Sequence, residues 1–331
     1  MKNIFILIFI SIFFIGCAQK VNVKMIEPAN IQRAADVKKI AVLRFKNDSI
    51  GFASKLETQL SKKNVLGSQY FTVMNREEID KIIDEQKLQY SGLVDEKTAV
   101  KVGKLIGVEG IISGTVADSS MNRNYYRTLR SKCIDKECKR SRTYYVSCTR
   151  TNYNLSVNIK LTDVQFGDII YADSISQDRT YSNCVDRFNN IPTKGYIMDK
   201  LSDTIVQRFI SKISPNKRYV SIELLDSPEI DYTDEQEKLL EYSLQYIKNG
   251  RLDKAEELLS NLLTSTKDKC FVAAYNLGVV KEAQGEYSLA KQLYEQADDL
   301  VLEPNEAIDK AILRIKEQIT NNKIVKEQVQ N

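Results

Sequence analysis

The spacing of apolar residues predicts a first region in which short strands alternate with helices. Three mostly apolar runs have the length of buried strands, and they cover 38–45, 69–76 and 110–119. After the first run, Phe52, Leu56 and Leu60 recur at four-residue steps, which is typical of one apolar helix face. The same reasoning predicts helices over 50–62, 76–86 and 95–107.

Two longer segments follow and predict an antiparallel hairpin. In 152–164, Leu155, Val157, Ile159 and Leu161 alternate with polar residues, so that one face of the strand is buried and the other is wet. A second strand over 168–181 follows after a short turn, and a helix over 194–213 closes the region. We therefore predict an α+β domain in which helices cover a sheet.

The last part of the chain repeats a helical pattern. Gly250 and Gly285 are 35 residues apart, as are Ala255 and Ala290, and small residues let paired helices approach closely. The segment 273–297 resembles a tetratricopeptide repeat, and the resemblance assigns helix packing to Leu277, Gly278, Ala290, Tyr294 and Ala297. Such repeats present a surface to other proteins. The alternative is a set of helices that only stabilises the first domain.

The first residues have the layout of a lipoprotein signal peptide. An apolar run from Ile4 to Ile15 follows Lys2, and it is shorter than the roughly 20 residues of a spanning helix. The sequence FIGC resembles a bacterial lipobox, so Cys17 is the expected site of lipidation. An ordinary N-terminal anchor with an incidental cysteine is the alternative. Ala18 stands where an aspartate would resemble an inner-membrane retention signal, which favours the outer membrane.

Four segments resemble, in order, the CsgG-like lipoproteins, the curli secretion channel family. They read KKIAVLRF, YFTVMNREEIDKIIDEQ, VGKLIGVEGIISGTV and VNIKLTDVQFGDIIYADS, and the resemblance covers 37–213. It implies a periplasmic domain that assembles in rings, with two inserted hairpins from each subunit that build an outer-membrane barrel. An unrelated domain with a similar order of strands is the alternative.

The stretch 118–150 lies where the family's first membrane hairpin would be, and it predicts a hairpin of its own. Two basic arms flank CIDKEC, so a bridge between Cys133 and Cys138 would close the turn. A second bridge, between Cys148 and Cys184, is also expected, although spacing alone leaves the pairing open. Neither face of the first arm is apolar, and a charge at mid-bilayer costs about 2–4 kcal/mol. We therefore expect that this protein does not build the secretion pore.

The same hairpin concentrates positive charge among tyrosines. The candidate contacts for an anionic partner are Arg123, Arg127, Arg130, Arg140 and Arg142. An anionic polymer, a lipid phosphate or a protein would each fit this chemistry. A solvated hairpin without a ligand is the alternative.

Composition excludes several kinds of chemistry. The 331-residue chain contains no histidine, which removes Ser/His/Asp and Cys/His catalysis and every His-ligated metal site. The glycines of GVEGIISG lack the Lys-Ser/Thr ending of a nucleotide-binding loop. We expect no enzyme activity, no cofactor and no metal. A net charge of +4 gives no reason to expect nucleic-acid binding.

Together these patterns predict an α+β, CsgG-like domain followed by an all-α tetratricopeptide-repeat domain. The expected boundaries are a signal peptide over 1–16, a tether over 17–36, the CsgG-like domain over 37–214, a linker over 215–232, repeats with a capping helix over 233–320 and a disordered tail over 321–331. The expected function is a non-enzymatic assembly or adaptor lipoprotein of an envelope or secretion system. It would face the periplasm from the outer membrane and hold protein partners on its repeats. A homo-oligomeric ring that forms a secretion channel is the alternative.

Overall fold

The chain divides into two compact units, and each of them is discontinuous in sequence. The computed structural model describes residues 19–76, 78–79, 81, 96–227 and 230–330. One unit, here called the sheet unit, comprises Pro28–Asn216 and Val325–Asn331. The other, here called the helical unit, comprises Met1–Glu27 and Lys217–Ile324.

The sheet unit contains the alternating strands and helices predicted for the first region. Strand β1 (Lys20–Glu27) precedes it and belongs to the helical unit. The helices of the sheet unit are α1 (Gln32–Ala35), α2 (Phe52–Ser61), α3 (Glu96–Ile106) and α4 (Lys194–Ile213). Its strands are β2 (Lys39–Val42), β3 (Asn64–Val65), β4 (Ser68–Gln69), β5 (Thr72–Val73), β6 (Gly110–Asp118), β7 (Met121–Cys133), β8 (Ser141–Asp163) and β9 (Ile169–Cys184). The predicted α+β architecture is confirmed.

A mixed sheet lies at the centre of this unit, in the order β5-β2-β6-β8-β7, with β9 also paired to β8. Strands β5, β2 and β6 are parallel, whereas β6, β7 and β9 each run antiparallel to β8. Strand β6 pairs with residues 156–163 of β8, and β7 pairs with residues 141–153. Strand β9 pairs with 148–162, so it occupies the opposite edge of β8.

Helices cover both faces of the sheet near β6. Ile111 and Ile112 are neighbours on this strand, so they point to opposite faces, and both are fully buried. Helix α3 contacts β6 and β8, and its Val102 shares a buried cluster with Ile111. Helix α4 contacts β8, β9 and α2. The core therefore forms where the short parallel strands meet the last residues of β8, 156–163.

The helical unit combines a small β-ribbon with five helices. Strand β1 pairs with β10 (Asn216–Glu223) to form the ribbon. The helices are α5 (Asp234–Lys248), α6 (Leu252–Ser265), α7 (Phe271–Gln284), α8 (Tyr287–Leu300) and α9 (Glu306–Gln330). The first four form two consecutive helical hairpins, and β1 packs against α5 and α7. Among the described residues, no helix is both long and apolar enough to cross a membrane.

The predicted tether over 17–36 is wrong in the part that the structure describes. This part contains β1 and α1 instead. Val23 and Met25 alternate inwards along β1, and each side chain is only 1% exposed. The alternation covers few residues, and the first segment of the sheet unit separates β1 from its partner strand β10 in sequence. A short pattern with so distant a partner is easily mistaken for an unstructured segment.

The predicted linker over 215–232 and the predicted disordered tail over 321–331 are corrected in the same way. The linker region contains β10, and α9 continues to Gln330. Gln328 is fully buried in the sheet unit, where its side chain accepts a hydrogen bond from the Ala29 N–H at 2.9 Å. Polar side chains hold this last turn, so apolar periodicity did not reveal it. The predicted helix over 76–86 lies largely outside the described residues.

Candidate functional site

The most exposed part of the sheet is an extension that we call the arm, comprising residues 121–150 and 177–190. It contains β7, the beginning of β8, the end of β9 and the segment that follows β9. Strand β8 is 23 residues long and runs from the arm into the core without interruption. The predicted basic hairpin is therefore a continuation of the central sheet.

Two disulfides close the arm. Cys133 is bonded to Cys138 at the turn between β7 and β8, and Cys148 is bonded to Cys184 across the β8–β9 pair. These are the two pairings considered from the sequence. Cys270 lies in the helical unit and is fully buried at the N-terminus of α7, where its sulfur accepts a hydrogen bond from the Ala273 N–H.

Burial changes from one face of β8 to the other between the core and the arm. In the core, the odd-numbered residues such as Leu155 and Val157 are fully buried. In the arm, the even-numbered Val146 and Cys148 are buried instead, at 3% exposure each. The segment after β9 supplies neighbours on this side: the Val185 N–H donates to the backbone of β8, and Asp186 pairs with Arg130 at 3.3 Å.

The opposite face of the arm is left open and carries aromatic and basic side chains. Tyr125 is 77% exposed, Leu129 is 56% exposed and Tyr145 is 74% exposed. Leu129 is directly opposite Tyr145 in the antiparallel pair, so their side chains share this face, and Arg127 lies on it between Tyr125 and Leu129. We call Tyr125, Arg127, Leu129 and Tyr145 the aromatic face.

The structure does not gather the five candidate arginines into one cluster. Arg123 and Arg127 lie on the side of β7 that carries the aromatic face. Arg130 is on the other side with Asp186, Arg140 is paired with Asp135 at the turn, and Arg142 is opposite Lys132. A single anionic ligand therefore cannot contact all five at once.

A cavity of about 670 Å³ opens beside the aromatic face. It is lined in part by Tyr125, Tyr126, Arg127, Val185 and Phe188. Phe188 is 88% exposed, and Arg150 lies 5.2 Å above the ring of Tyr126. Aromatic rings with adjacent guanidinium groups are typical of surfaces that bind other proteins. Sequence reasoning missed Val185 and Phe188, which follow β9 without a periodic pattern.

In the helical unit, the five residues assigned to helix packing lie at the contact of α7 with α8. Ala290, Tyr294 and Ala297 are fully buried, and Leu277 is nearly so. A Cβ at Gly278 would lie 2.7 Å from Cε1 of Tyr294, so only glycine lets the ring approach this closely. The small residue on α7 and the large ring on α8 thus form one packing pair.

A buried ionic network joins α7, α8 and α9, and no sequence pattern indicated it. Glu282 is 1% exposed and accepts two hydrogen bonds from Arg314, both at 2.9 Å. The Tyr294 hydroxyl also donates to Glu282, at 2.6 Å. Burial raises the pKa of Tyr294 well above its usual value, and the charge of Glu282 raises it further. The network is a structural link between three helices.

The first helix of each hairpin faces the chain's own ribbon. The Asn276 amide donates to the Leu225 carbonyl at 2.7 Å and accepts from the Leu225 N–H at 3.1 Å. The Tyr275 hydroxyl donates to the Glu223 carbonyl at 2.9 Å. These contacts, with β1 against α5 and α7, cover part of the surface of both helices.

Two other predicted features can be placed only in part. Cys17 lies outside the described residues. Among the residues that are described, no group of three or more Cys, Asp or Glu side chains is arranged to hold a metal ion.

Comparison with solved structures gives neighbours of low identity. The lipoprotein GNA1162 from Neisseria meningitidis is 12% identical, with 52% of this chain and 96% of that chain covered and a TM-score of 0.31. The C-terminal domain of LpoB from Salmonella enterica is 11% identical, with 45% and 95% covered and a TM-score of 0.28. The hypothetical protein CT253 from Chlamydia trachomatis is 11% identical, with 54% and 98% covered and a TM-score of 0.29. Similarity at this level does not bear on function.

Comparison with protein families gives a match over residues 22–208. A search of curated proteins found no match to this chain. The family match covers more than half of the chain, and it includes most of β1 and the whole of the arm. The resemblance read from the four sequence segments is thereby confirmed. The chain belongs to the family described as the curli production assembly/transport component CsgG.

Proposed function

We propose that this protein is a non-enzymatic lipoprotein of the cell envelope, anchored in the outer membrane through Cys17, which docks protein partners on the aromatic face of its arm. Membership of the CsgG family supports a role in assembly or transport at the envelope. The observation that carries the proposal is the exposure of Tyr125, Leu129 and Tyr145 on one face of a disulfide-closed sheet.

The chemistry of this face fits a protein partner. Tyrosine and arginine are enriched among the residues that dominate protein–protein binding, because they combine a large contact area with directional hydrogen bonds. Exposed apolar side chains grouped on one face are unusual for a surface that contacts only water. The sheet and the two disulfides hold the backbone of this face in place, so little backbone entropy is lost on binding.

A photo-crosslinking experiment tests the docking surface. Tyr125 is replaced by a photoreactive phenylalanine analogue in cells, and ultraviolet light is expected to give discrete crosslinked products. The same replacement at Tyr242, which is 47% exposed on α5, serves as the control and should give none. A further change, Leu129→Asp, should abolish the products from position 125. Equal crosslinking from both positions would argue against a specific surface.

The lipid anchor is tested separately. Cys17→Ser removes the thiol that would carry the diacylglycerol, so the variant is expected to remain unprocessed or to leave the membrane fraction. Membrane fractionation and the mass of the mature N-terminus are the measurements. A Cys17→Ser variant that is processed normally and still fractionates with membranes would contradict the anchor.

The helical repeats are a second proposed surface for protein partners, and the ribbon occupies part of it. The ribbon covers the faces of α5 and α7 that it contacts, so we expect partners to use the outer helices α6 and α8. Leu289 on α8 is 45% exposed and is the natural position for a second crosslinking probe.

A second candidate function is the subunit of an oligomeric secretion channel, and the family match favours it. In that case the arm would contact neighbouring subunits and lipid rather than a separate partner. Negative-stain microscopy of the detergent-extracted protein distinguishes the two functions. Ring-shaped particles with a membrane-embedded wall would favour the channel, and isolated small particles would favour the adaptor.

A further inference from the structure

We infer that the outward face of the β1–β10 ribbon lies on an anionic phospholipid surface, so that the helical unit is held against the membrane without a slack tether. This inference rests on the proposed lipidation of Cys17. It concerns a surface that the docking proposal for the arm does not use.

The first argument is the length of chain between the anchor and the fold. Only Ala18 and Gln19 separate Cys17 from the first residue of β1, Lys20. Gln19 is already tied to the helical unit, because its carbonyl accepts a hydrogen bond from the Leu224 N–H at 2.7 Å. Three residues of extended chain span about 10 Å at most. An acylated Cys17 would thus hold the start of the ribbon within about 10 Å of the lipid headgroups.

The second argument is the orientation of the ribbon. Its inward residues, Val23, Met25 and Ile222, are each 2% exposed or less and belong to the core of the helical unit. Alternation along the strands therefore directs the intervening side chains away from the helices. The outward face of the ribbon is therefore the face that can contact the lipid headgroups near Cys17.

The third argument is the charge of that outward face. Lys20, Lys24 and Lys217 are exposed on it, and Glu223 is the opposing charge. Arg218 is paired with Glu27 at 2.7 Å, so these two residues add no net charge. Tyr219 is 67% exposed and lies on the same face, two residues after Lys217. A tyrosine that shares a face with lysines suits a membrane interface, where the ring packs among headgroups and ammonium groups meet lipid phosphates.

A lipid-quenching experiment tests the inference with the full acylated protein. The protein is reconstituted in vesicles of phosphatidylethanolamine with phosphatidylglycerol and a headgroup-nitroxide phosphatidylcholine. A fluorophore is attached at Tyr219→Cys or, as the control, at Leu289→Cys on α8. The native cysteines of the acylated protein do not compete for the label, because the Cys17 thiol carries the diacylglycerol, four cysteines form disulfides and Cys270 is buried. Quenching should be strong at position 219 and weak at position 289.

The charge requirement is tested with Lys24→Gln/Lys217→Gln in the Tyr219→Cys protein. Each lysine near an anionic surface contributes about a fivefold factor to binding, so the docked state should fall about 25-fold and quenching should fall with it. Lys291→Gln on α8 is the matched control and should leave quenching unchanged. Replacing phosphatidylglycerol by phosphatidylcholine should have the same effect as the double substitution.

Equal quenching at positions 219 and 289 in a protein whose mass shows acylation would overturn the inference and leave the proposed lipoprotein intact. A mature protein without acyl chains would overturn both. A third outcome is quenching at position 219 that is the same with and without the two lysines and the anionic lipid. That result would show that the anchor alone keeps the ribbon near the headgroups, and it would overturn the proposed contact with an anionic surface.

Discussion

At the scale of single residues, Gly278 sets the distance between α7 and α8. Because a Cβ would lie 2.7 Å from the buried Tyr294 ring, Gly278→Ala is expected to destabilise the helical unit by about 1–3 kcal/mol. Urea unfolding followed by circular dichroism is the measurement. Gly195→Ala, at a position with nothing within 4 Å of its Cβ, is the control and should be neutral or slightly stabilising. Equal losses would show that packing against Tyr294 is not the cause.

Glu282 gives a second prediction at this scale. Glu282→Gln leaves the guanidinium of Arg314, which is 14% exposed, without its counter-charge. Removing one partner of a buried ion pair costs about 3–5 kcal/mol, so a comparable loss of unfolding free energy is expected. Glu286→Gln, at a carboxylate that is 44% exposed, should cost about 1 kcal/mol or less. A small loss at both positions would mean that water compensates for the missing charge.

Single residues also show what the sequence could and could not predict in the helical unit. The packing role of Gly278, Ala290 and Ala297 could be inferred from their spacing, because small residues recur where helices are in contact. The contact between Glu282 and Arg314 could not be inferred, because two charged residues on different helices look like ordinary surface residues until the helices are packed together.

At the scale of elements, the two disulfides of the arm should contribute unequally. The Cys148–Cys184 bridge spans 36 residues and the Cys133–Cys138 bridge spans 5. The entropy of loop closure then gives about 4 kcal/mol for the long loop and about 2 kcal/mol for the short one. Double substitution to serine at each bridge, followed by thermal unfolding, is the measurement. A larger loss from the 133–138 pair would contradict the loop-length argument.

Elements also explain why some predictions failed. Helix α4 was predicted with its observed bounds, because its apolar periodicity extends over several turns. Strand β1 was missed, because Val23 and Met25 give a short alternation and the partner strand β10 is remote in sequence. The change of the buried face along β8 could not be predicted from the sequence either, because the segment after β9 covers that face in the arm.

At the scale of the whole molecule, stability should decline in alkaline solution because both units bury tyrosines. In the helical unit, burial raises the pKa of Tyr275 to about 12. In the sheet unit, burial raises the pKa of Tyr171 to about 12 as well. The folded-state pKa values lie above the unfolded value near 10, so this stability is complete below about pH 10 and is lost as the pH rises towards about 12.

Unfolding free energies measured at pH 8 and pH 11 provide the test. We expect Tyr275 to remove about 1.4 kcal/mol per pH unit across that window, and the partly exposed Tyr171 to remove less because solvent screens it. Tyr275→Phe should flatten the decline, although it loses the hydrogen bond to Glu223 at neutral pH. Tyr219→Phe, at an exposed ring, is the control. A decline that is identical in all three proteins would assign it to other groups.

The origin of the ribbon has a consequence for biogenesis. Strand β1 is synthesised before the other described elements, but the helices that bury Val23 and Met25 are made only after the Pro28–Asn216 part of the sheet unit. A nascent polypeptide emerging N-terminus first thus exposes the apolar side of β1 for most of its translation, and we expect that side to be bound by a holding chaperone during transit. Premature stop codons before α5 would leave β1 without any of its helical contacts, so we expect such truncated products to be degraded by quality-control proteases.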